Sequence, residues 1–210
     1  MRVIVTAGPT RERIDAVRFI TNASSGKMGY ACAAAAAVAG HEVTLISGPV
    51  AIAPPDGVEL VPIISVADLA KALEERFDVC DALIMAAAVG DFHVQEQLDT
   101  KLPRSGGPVH ITLLPTADIL AGLGARRQGQ VLIGFAVEAD HNEEKARREL
   151  VAKDCDYLVL NSTAAMGADE SEACILSRQG LALPLARRGK QALAKEIIAL
   201  CSRPGRREQS

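Results

Sequence analysis

The residues best able to do chemistry fall in one stretch near the N-terminus, from Thr6-Ala-Gly-Pro-Thr-Arg11 through Ser24-Ser-Gly-Lys-Met-Gly29. Arg11, Glu12, Arg13, Asp15, Arg18, Asn22 and Lys27 stand between a short apolar run (Val3-Ile-Val5) and an Ala-rich run (Tyr30 to Ala39). The first run reads as a buried strand and the second as a helix. Strand, loop and helix start is where a doubly wound α/β fold holds phosphates, because free N–H groups at a helix N-terminus attract anions. Phosphate binding alone needs few side chains. A loop this long and this rich in cations, carboxylates and amides also supplies groups for chemistry on what is bound. Ser24, Ser25, Gly26 and Lys27 sit at the helix start, where hydroxyls cap and backbone N–H groups bind phosphate. An ordinary N-cap accounts for the serines but less readily for the glycine and lysine beside them. Asn22 alone also suits a left-handed turn, and Arg18 a solvated loop.

Neither common nucleotide motif fits this stretch. A P-loop requires G-x-x-x-x-G-K-[ST], but Thr21 occupies the first glycine position and Met28 follows Gly26-Lys27. The dinucleotide fingerprint G-x-G-x-x-G fails because the glycines are Gly8, Gly26 and Gly29. The next strand, Glu42 to Ile46, ends in Ser47-Gly48-Pro49, with no acid to hold a ribose.

The elements that must position these residues alternate along the chain. Strands are expected at Arg2–Thr6, Glu42–Ile46, Asp81–Ala86, Val109–Leu114, Val131–Val137 and Asp156–Leu160. Helices are expected at about Ser25–Ala39, from Ser65 with Leu69, Leu73 and Phe77 along one face, from Thr116 or Ala117 to about Arg127, at Asn142–Lys153 and at Gly189–Cys201. Ala88–Pro108 is polar, aperiodic and reads as a mobile loop. Ala173–Ser177 and Leu181–Leu185 around Arg178-Gln-Gly180 read as a β-hairpin. This pattern predicts an α/β, Rossmann-like, mostly parallel sheet with helices on both faces and a C-terminal β-hairpin. It is expected as one domain over residues 1–201, with 202–210 as a flexible tail.

Composition narrows the class. An apolar fraction of 49% with only 3% aromatic residues gives an aliphatic core, and the net charge of −3 without a basic stripe argues against nucleic acid. No apolar run approaches a membrane span and no signal peptide opens the chain, so a cytoplasmic protein is expected. Five cysteines without C-x-x-C spacing read as buried, reduced thiols, and the four histidines lack metal-ligand spacing.

Residues 3 to 49 closely resemble phosphopantothenoylcysteine synthetase (phosphopantothenate–cysteine ligase), a family of coenzyme A biosynthesis. The family pattern reads TAG-x-T-R-E-x-[IL]-D-x-V-R-[YF]-I-[ST]-N-x-S-S-G-K-M-G, and this chain departs mainly at Arg13, where Pro is usual. Further matches follow in order: Ala86-Ala-Ala-Val-Gly-Asp91 for A-A-V-A-D, Lys101-Leu102 for K-I-K-K, Asp118-Ile119-Leu120 for N-P-D-I-L, Gly134-Phe135-Ala136 for G-F-A and Asn161 for A-N-D. The resemblance covers roughly residues 2 to 200.

The resemblance implies that the carboxylate of 4′-phosphopantothenate attacks the α-phosphate of a nucleoside triphosphate, usually CTP, with Mg²⁺. The amine of L-cysteine then displaces the nucleotide from the resulting acyl-nucleotide. It implies catalytic roles for Asn22, Arg18 and Lys101, the last on the mobile loop as a closing flap. Gly8, Ser24, Ser25, Gly26, Lys27, Ala86, Ala87, Ala88, Asp91, Asp118, Ile119, Phe135 and Lys153 are implied to bind nucleotide. Asp91 is placed on the ribose or on Mg²⁺. Departures occur at Pro103, at Thr116-Ala117 and at Glu149, where a lysine one turn before Lys153 is usual; Arg148 is adjacent but about 100° around the helix. Relatives are homodimers that share a substrate site, so a homodimer is expected, with the hairpin and flap as contacts. The chain starts one residue before its first strand, so no flavin-dependent decarboxylase domain and no flavin are expected; a separate decarboxylase chain would supply the next step. Two other readings compete. A non-catalytic nucleotide-binding paralogue would show decay at the departures. An NAD(P)-dependent Rossmann oxidoreductase is opposed by the glycine spacing, the missing acid and the lack of a Tyr-x-x-x-Lys pair.

Overall fold

The apolar runs of the sequence become the inner strands of one eight-stranded sheet, and the amphipathic segments cover it. The computed structural model describes residues 1–104, 107–138, 142–162 and 168–202. In chain order its elements are β1 (Arg2–Ala7), β2 (Arg11–Arg13), β3 (Phe19–Thr21), α1 (Lys27–Val38), β4 (Glu42–Ser47), β5 (Val58–Pro62), α2 (Val66–Glu74), β6 (Ala82–Met85), β7 (Phe92–Val94), β8 (Leu113–Pro115), α3 (Ile119–Arg126), β9 (Val131–Glu138), α4 (Glu143–Ala152), β10 (Tyr157–Ser162), β11 (Glu170–Ser177), β12 (Gly180–Gly189) and α5 (Lys190–Cys201).

The main sheet runs β12-β11-β10-β9-β6-β1-β4-β5. From β10 to β5 every pairing is parallel, whereas β11 and β12 join antiparallel. Numbered by their own succession, the parallel strands lie in the order 3-2-1-4-5-6, that of a doubly wound dinucleotide-binding sheet. The direction of winding reverses between β1 and β6, so a crevice opens there beyond the C-terminal strand ends.

Side chains alternate across the sheet and divide the core in two. Val3, Val5, Leu45, Ile84 and Ile133 face α1 and α5, meeting Cys32, Ala33, Ala36, Leu193 and Ile197. Ile4, Ile46, Leu83, Leu132 and Leu158 face α2, α3 and α4, meeting Leu69, Leu73, Leu120, Leu123 and Leu150. Helix starts follow the expected chemistry. Ser65 accepts from Asp68 N at 3.1 Å while the Asp68 carboxylate accepts from Ser65 N at 2.9 Å, a reciprocal capping box. Asp118 caps α3 and Asn142 caps α4.

The fold class is as expected, with four local corrections. The parallel edge strand β5 has no counterpart among the expected strands: Glu59 and Leu60 are exposed, so it lacks the continuous apolar run of the inner strands. The segment Val109–Leu114 is not a sheet strand. Only Leu113–Pro115 is extended, exposed, and paired antiparallel with β7 outside the main sheet. The long first loop holds a second small hairpin, β2–β3. The C-terminal hairpin is longer than expected at both ends. Residues 203–210 of the expected tail, and Ser105 and Gly106 of the expected flap, lie outside the described residues.

Candidate active site

The three glycines whose spacing fits no motif gather in space. Gly8 and Gly26 both take left-handed backbone, with φ of 71° and 76°. A Cβ on Gly26 would stand 3.4 Å from Gly8 Cα and 2.8 Å from Val50 Cγ1. The chain leaves the end of β1 at Gly8, makes an excursion through β2–β3, and returns to the same point to begin α1. Gly8 itself is buried beneath the crevice; its carbonyl accepts from Ala88 N at 2.9 Å.

The crevice at the switch point has a volume of about 660 Å³. Asn22 and residues 24–29 form one wall, residues 85–91 the floor, and residues 116–120 with Phe135 the far wall. Of the residues singled out in the sequence, it therefore gathers Asn22, Ser24, Ser25, Gly26, Lys27, Ala86, Ala87, Ala88, Asp91, Asp118, Ile119, Phe135 and Lys153. Asn22 is oriented by Nδ2, which donates to Val89 O at 2.9 Å. No side chain caps α1, so the start of that helix presents its partial positive charge to the cavity. The alanine amides are already engaged: Ala86 N with Ile84 O, Ala87 N with Thr6 Oγ1 at 3.0 Å, and Ala88 N with Gly8 O. The trio thus contributes a rigid, small-residue floor rather than donors.

Arg18 and Lys101 are not among the crevice residues. Arg18 instead clasps the flap, its Nη2 donating to Leu102 O at 3.1 Å and its Nη1 lying 3.4 Å from Asp15 Oδ2. Asp15 is the hub. Its Oδ1 accepts from Val17 N and Arg18 N, each at 2.7 Å, and its Oδ2 from Leu102 N at 3.1 Å. Burial acts to raise the Asp15 carboxyl, but these three N–H groups and the Arg18 charge outweigh it and hold it below its ordinary value. Lys101 is exposed beside this latch. Glu12, which read as a reactive charge, serves structure: buried, it accepts from Val66 N at 2.8 Å and caps α2 from 54 residues away.

On α4, Lys145, Glu149 and Lys153 follow at one-turn spacing and all line the crevice. Lys153 Nζ lies 2.7 Å from Glu149 Oε1 and 3.5 Å from Asp118 Oδ2. Burial acts to lower the Lys153 amine, yet Glu149 and Asp118 together raise it above its ordinary value. Glu149 therefore stands as a counter-charge to Lys153. Arg148 does not replace the usual lysine; it is exposed and pairs with Glu144 at 2.7 Å. Across the helix gap, Gly124 of α3 meets the Lys153 carbonyl, where a Cβ would come within 2.2 Å.

Several crevice residues escaped the sequence reading. Asn161 falls in a motif match that implies no role for it, and Lys145, Ser171 and Lys190 carry no local signal, since each sits in an ordinary helix or strand pattern. Asn161 and Ser171 line the crevice while 7% and 2% exposed, and Asn161 Oδ1 and Ser171 Oγ have no hydrogen-bond partner among the described residues. Lys27 Nζ pairs with Asp169 Oδ1 at 2.6 Å, which holds the Asp169 carboxyl low. The nearly buried Lys190 is pushed down by burial and by the charge of Lys27, against the pull of Asp169. Among the described residues no group of three or more His, Cys, Asp or Glu is placed to hold a metal ion.

Fold and site together define a doubly wound α/β protein with one deep polar crevice at its switch point. A family model described as the DNA/pantothenate metabolism flavoprotein C-terminal domain matches residues 1–203. The chain belongs to that family, and the synthetase resemblance of its motifs is borne out. The coenzyme A biosynthesis bifunctional protein CoaBC of Bacillus subtilis (strain 168) is 41% identical over 214 residues, covering 98% of this chain and 53% of that protein. The chain spans about half the length of the curated relatives it matches. The crystal structure of the C-terminal domain of a CoaBC protein superposes with a TM-score of 0.79 at 39% identity, covering 94% of this chain and 92% of that one. A Cab2 mutant in complex with phosphopantothenate-cysteine shares the fold at 16% identity, with a TM-score of 0.81 over 96% of this chain and 86% of that one.

Proposed function

We propose that this chain is a phosphopantothenate–cysteine ligase of coenzyme A biosynthesis. The observation that carries the reading is convergence: Asn22, the uncapped start of α1, the alanine floor and Lys153 meet in one crevice at the switch point. The family membership supports 4′-phosphopantothenate and L-cysteine as the substrates of that crevice.

A free carboxylate is a poor acyl donor because oxide leaves badly. Attack of its oxygen on the α-phosphorus of a nucleoside triphosphate breaks the bond to pyrophosphate and yields a mixed anhydride. The cysteine amine then adds to the acyl carbon, the C–O bond to the nucleotide breaks, and the amine proton is released with nucleoside monophosphate. Asn22, held at Nδ2 by Val89, offers an amide donor that stabilises oxygen without competing as a nucleophile. Ser24 to Lys27 with the α1 dipole neutralise phosphate. Asp118, Ile119 and Phe135 form the base pocket, with Lys153 above it. CTP is the proposed nucleotide. Mg²⁺ would be held by Asp91 together with substrate phosphates, as that ion favours few protein ligands; it supplies charge neutralisation at the phosphates. Arg18, which holds the flap at Leu102, and the adjacent Lys101 act from the flap side, and a second copy of the chain completes the site there. The exposed Phe19, Phe92, Leu113 and Leu114 on the two small hairpins support that contact.

Pyrophosphate release tests the reading, using 4′-phosphopantothenate and Mg²⁺ with CTP, ATP or UTP, with and without L-cysteine. Release with CTP, accelerated by cysteine, is expected. Nucleotide binding without release would favour the non-catalytic paralogue.

A further inference from the structure

One corner of the crevice holds Lys190 and Ser171, which carry no role in the proposed reaction. The first residues of two helices meet there, Lys27 of α1 and Lys190 of α5, and both line the crevice. Neither helix carries a side-chain cap, so two partial positive charges add to two ammonium groups. Lys190 is only 9% exposed. A lysine so buried beside a second lysine lacks the solvation that normally offsets like-charge repulsion. A multiply charged anion would relieve both. Ser171, at the start of β11, adds an independent sign of a ligand: its Oγ is buried against the crevice with no partner among the described residues, at the cost of a desolvated hydroxyl. Asp169 joins the two lysines, its carboxylate on Lys27 at 2.6 Å and its carbonyl accepting from Lys190 N at 3.0 Å. Its side chain is 87% exposed, so a rotamer change frees Lys27 without disturbing the backbone link.

We propose that Lys190, Ser171 and the start of α5 seat the terminal phosphates of the nucleoside triphosphate, and hence the departing pyrophosphate. The proposal takes the identity of the anion from the ligase reading. Ser171 Oγ–H donates to a phosphoryl oxygen, Lys190 neutralises charge that grows on the leaving group as the α-phosphorus bond breaks, and Lys27 bridges this seat to the α-phosphate. The same chemistry would suit the phosphate monoester of the other substrate, so the test separates the two.

Calorimetric titration of the intact chain with inorganic pyrophosphate, CTP, CMP and 4′-phosphopantothenate, for wild type, Lys190→Met and Ser171→Ala, decides the matter. Lys190→Met is expected to weaken pyrophosphate and CTP about tenfold or more, and Ser171→Ala about threefold, each with CMP and 4′-phosphopantothenate within about twofold. Unchanged pyrophosphate and CTP affinity in both variants, or no pyrophosphate binding by wild type, overturns the proposal. Loss of 4′-phosphopantothenate alone assigns the corner to the monoester and also overturns it. Ser171→Ala removes one atom and keeps the test decisive should Lys190→Met unfold. If wild type binds pyrophosphate in this corner but releases none from substrates, the ligase reading fails while the anion seat stands.

Discussion

Asn22 lines the crevice wall with its amide nitrogen bonded to Val89 O, which fixes the orientation of its side chain. It is exposed and buries little, which separates function from stability. Asn22→Ala is expected to slow pyrophosphate release by about 10²- to 10³-fold, with a melting temperature close to wild type; single-turnover kinetics and a thermal scan check both. Lys153 carries a pH consequence. Its folded pKa is raised above 10.5, so the stability of its pairs with Glu149 and Asp118 is fully present below 10.5 and is lost as pH rises through the folded value. Glu149→Gln removes the first of the groups that raise it, so the alkaline loss of stability moves to lower pH; denaturant midpoints measured from pH 8 to 11 follow it. At this scale the site was legible where its residues are contiguous, as from Asn22 to Lys27. Lys190 and Ser171 were not, because a lysine opening a helix and a serine opening a strand are ordinary until the fold sets them against one cavity.

The elements act through a few close approaches. Gly124 lets α3 lie against the C-terminal end of α4, and this sets Asp118 opposite Lys153. Gly124→Ala would force the two helices apart, costing about 1–3 kcal/mol as overpacking does; a parallel loss of CTP affinity, read by titration, would show that the approach positions Lys153. The flap has its own latch. Because the Asp15 carboxyl is held below 3.8, its bonds to Val17, Arg18 and Leu102 are fully formed above that pH and are lost as pH falls through the lower folded value. Limited proteolysis between pH 3 and 5 is expected to reveal cleavage near Leu102 only at the acid end, and Asp15→Asn to abolish that pH dependence by cutting at every pH. Helix starts were legible where capping chemistry is local, at Ser65 with Asp68 and at Asn142, whereas α3, expected from Thr116 or Ala117, is capped by Asp118. The edge strand β5 and the short pairs β2–β3 and β7–β8 were not, since they are brief and their exposed residues break the apolar pattern.

Over the whole molecule, an aliphatic core with two packed faces leaves its five cysteines buried and free. Burial pushes Cys80 and Cys155 up to about 12 and Cys201 up to about 11, so little thiolate forms near neutral pH. Titration with a disulfide reagent at neutral pH is expected to modify none of the five rapidly in the native protein and all five after denaturation. No helix among the described residues is long and apolar enough to cross a membrane. The meeting of Gly8 and Gly26 has a wider meaning. Residues 9–25 depart from and return to one point, so their insertion adds loop length to a junction that is already closed, a modest entropic demand. The sheet and the helix start are one module, able to hold an anion by backbone alone; the excursion, with Asp15, Arg18 and Asn22, is another that brings reactive groups to it. A binding scaffold of this kind can acquire or exchange its chemistry by a local insertion, without its sheet being redrawn.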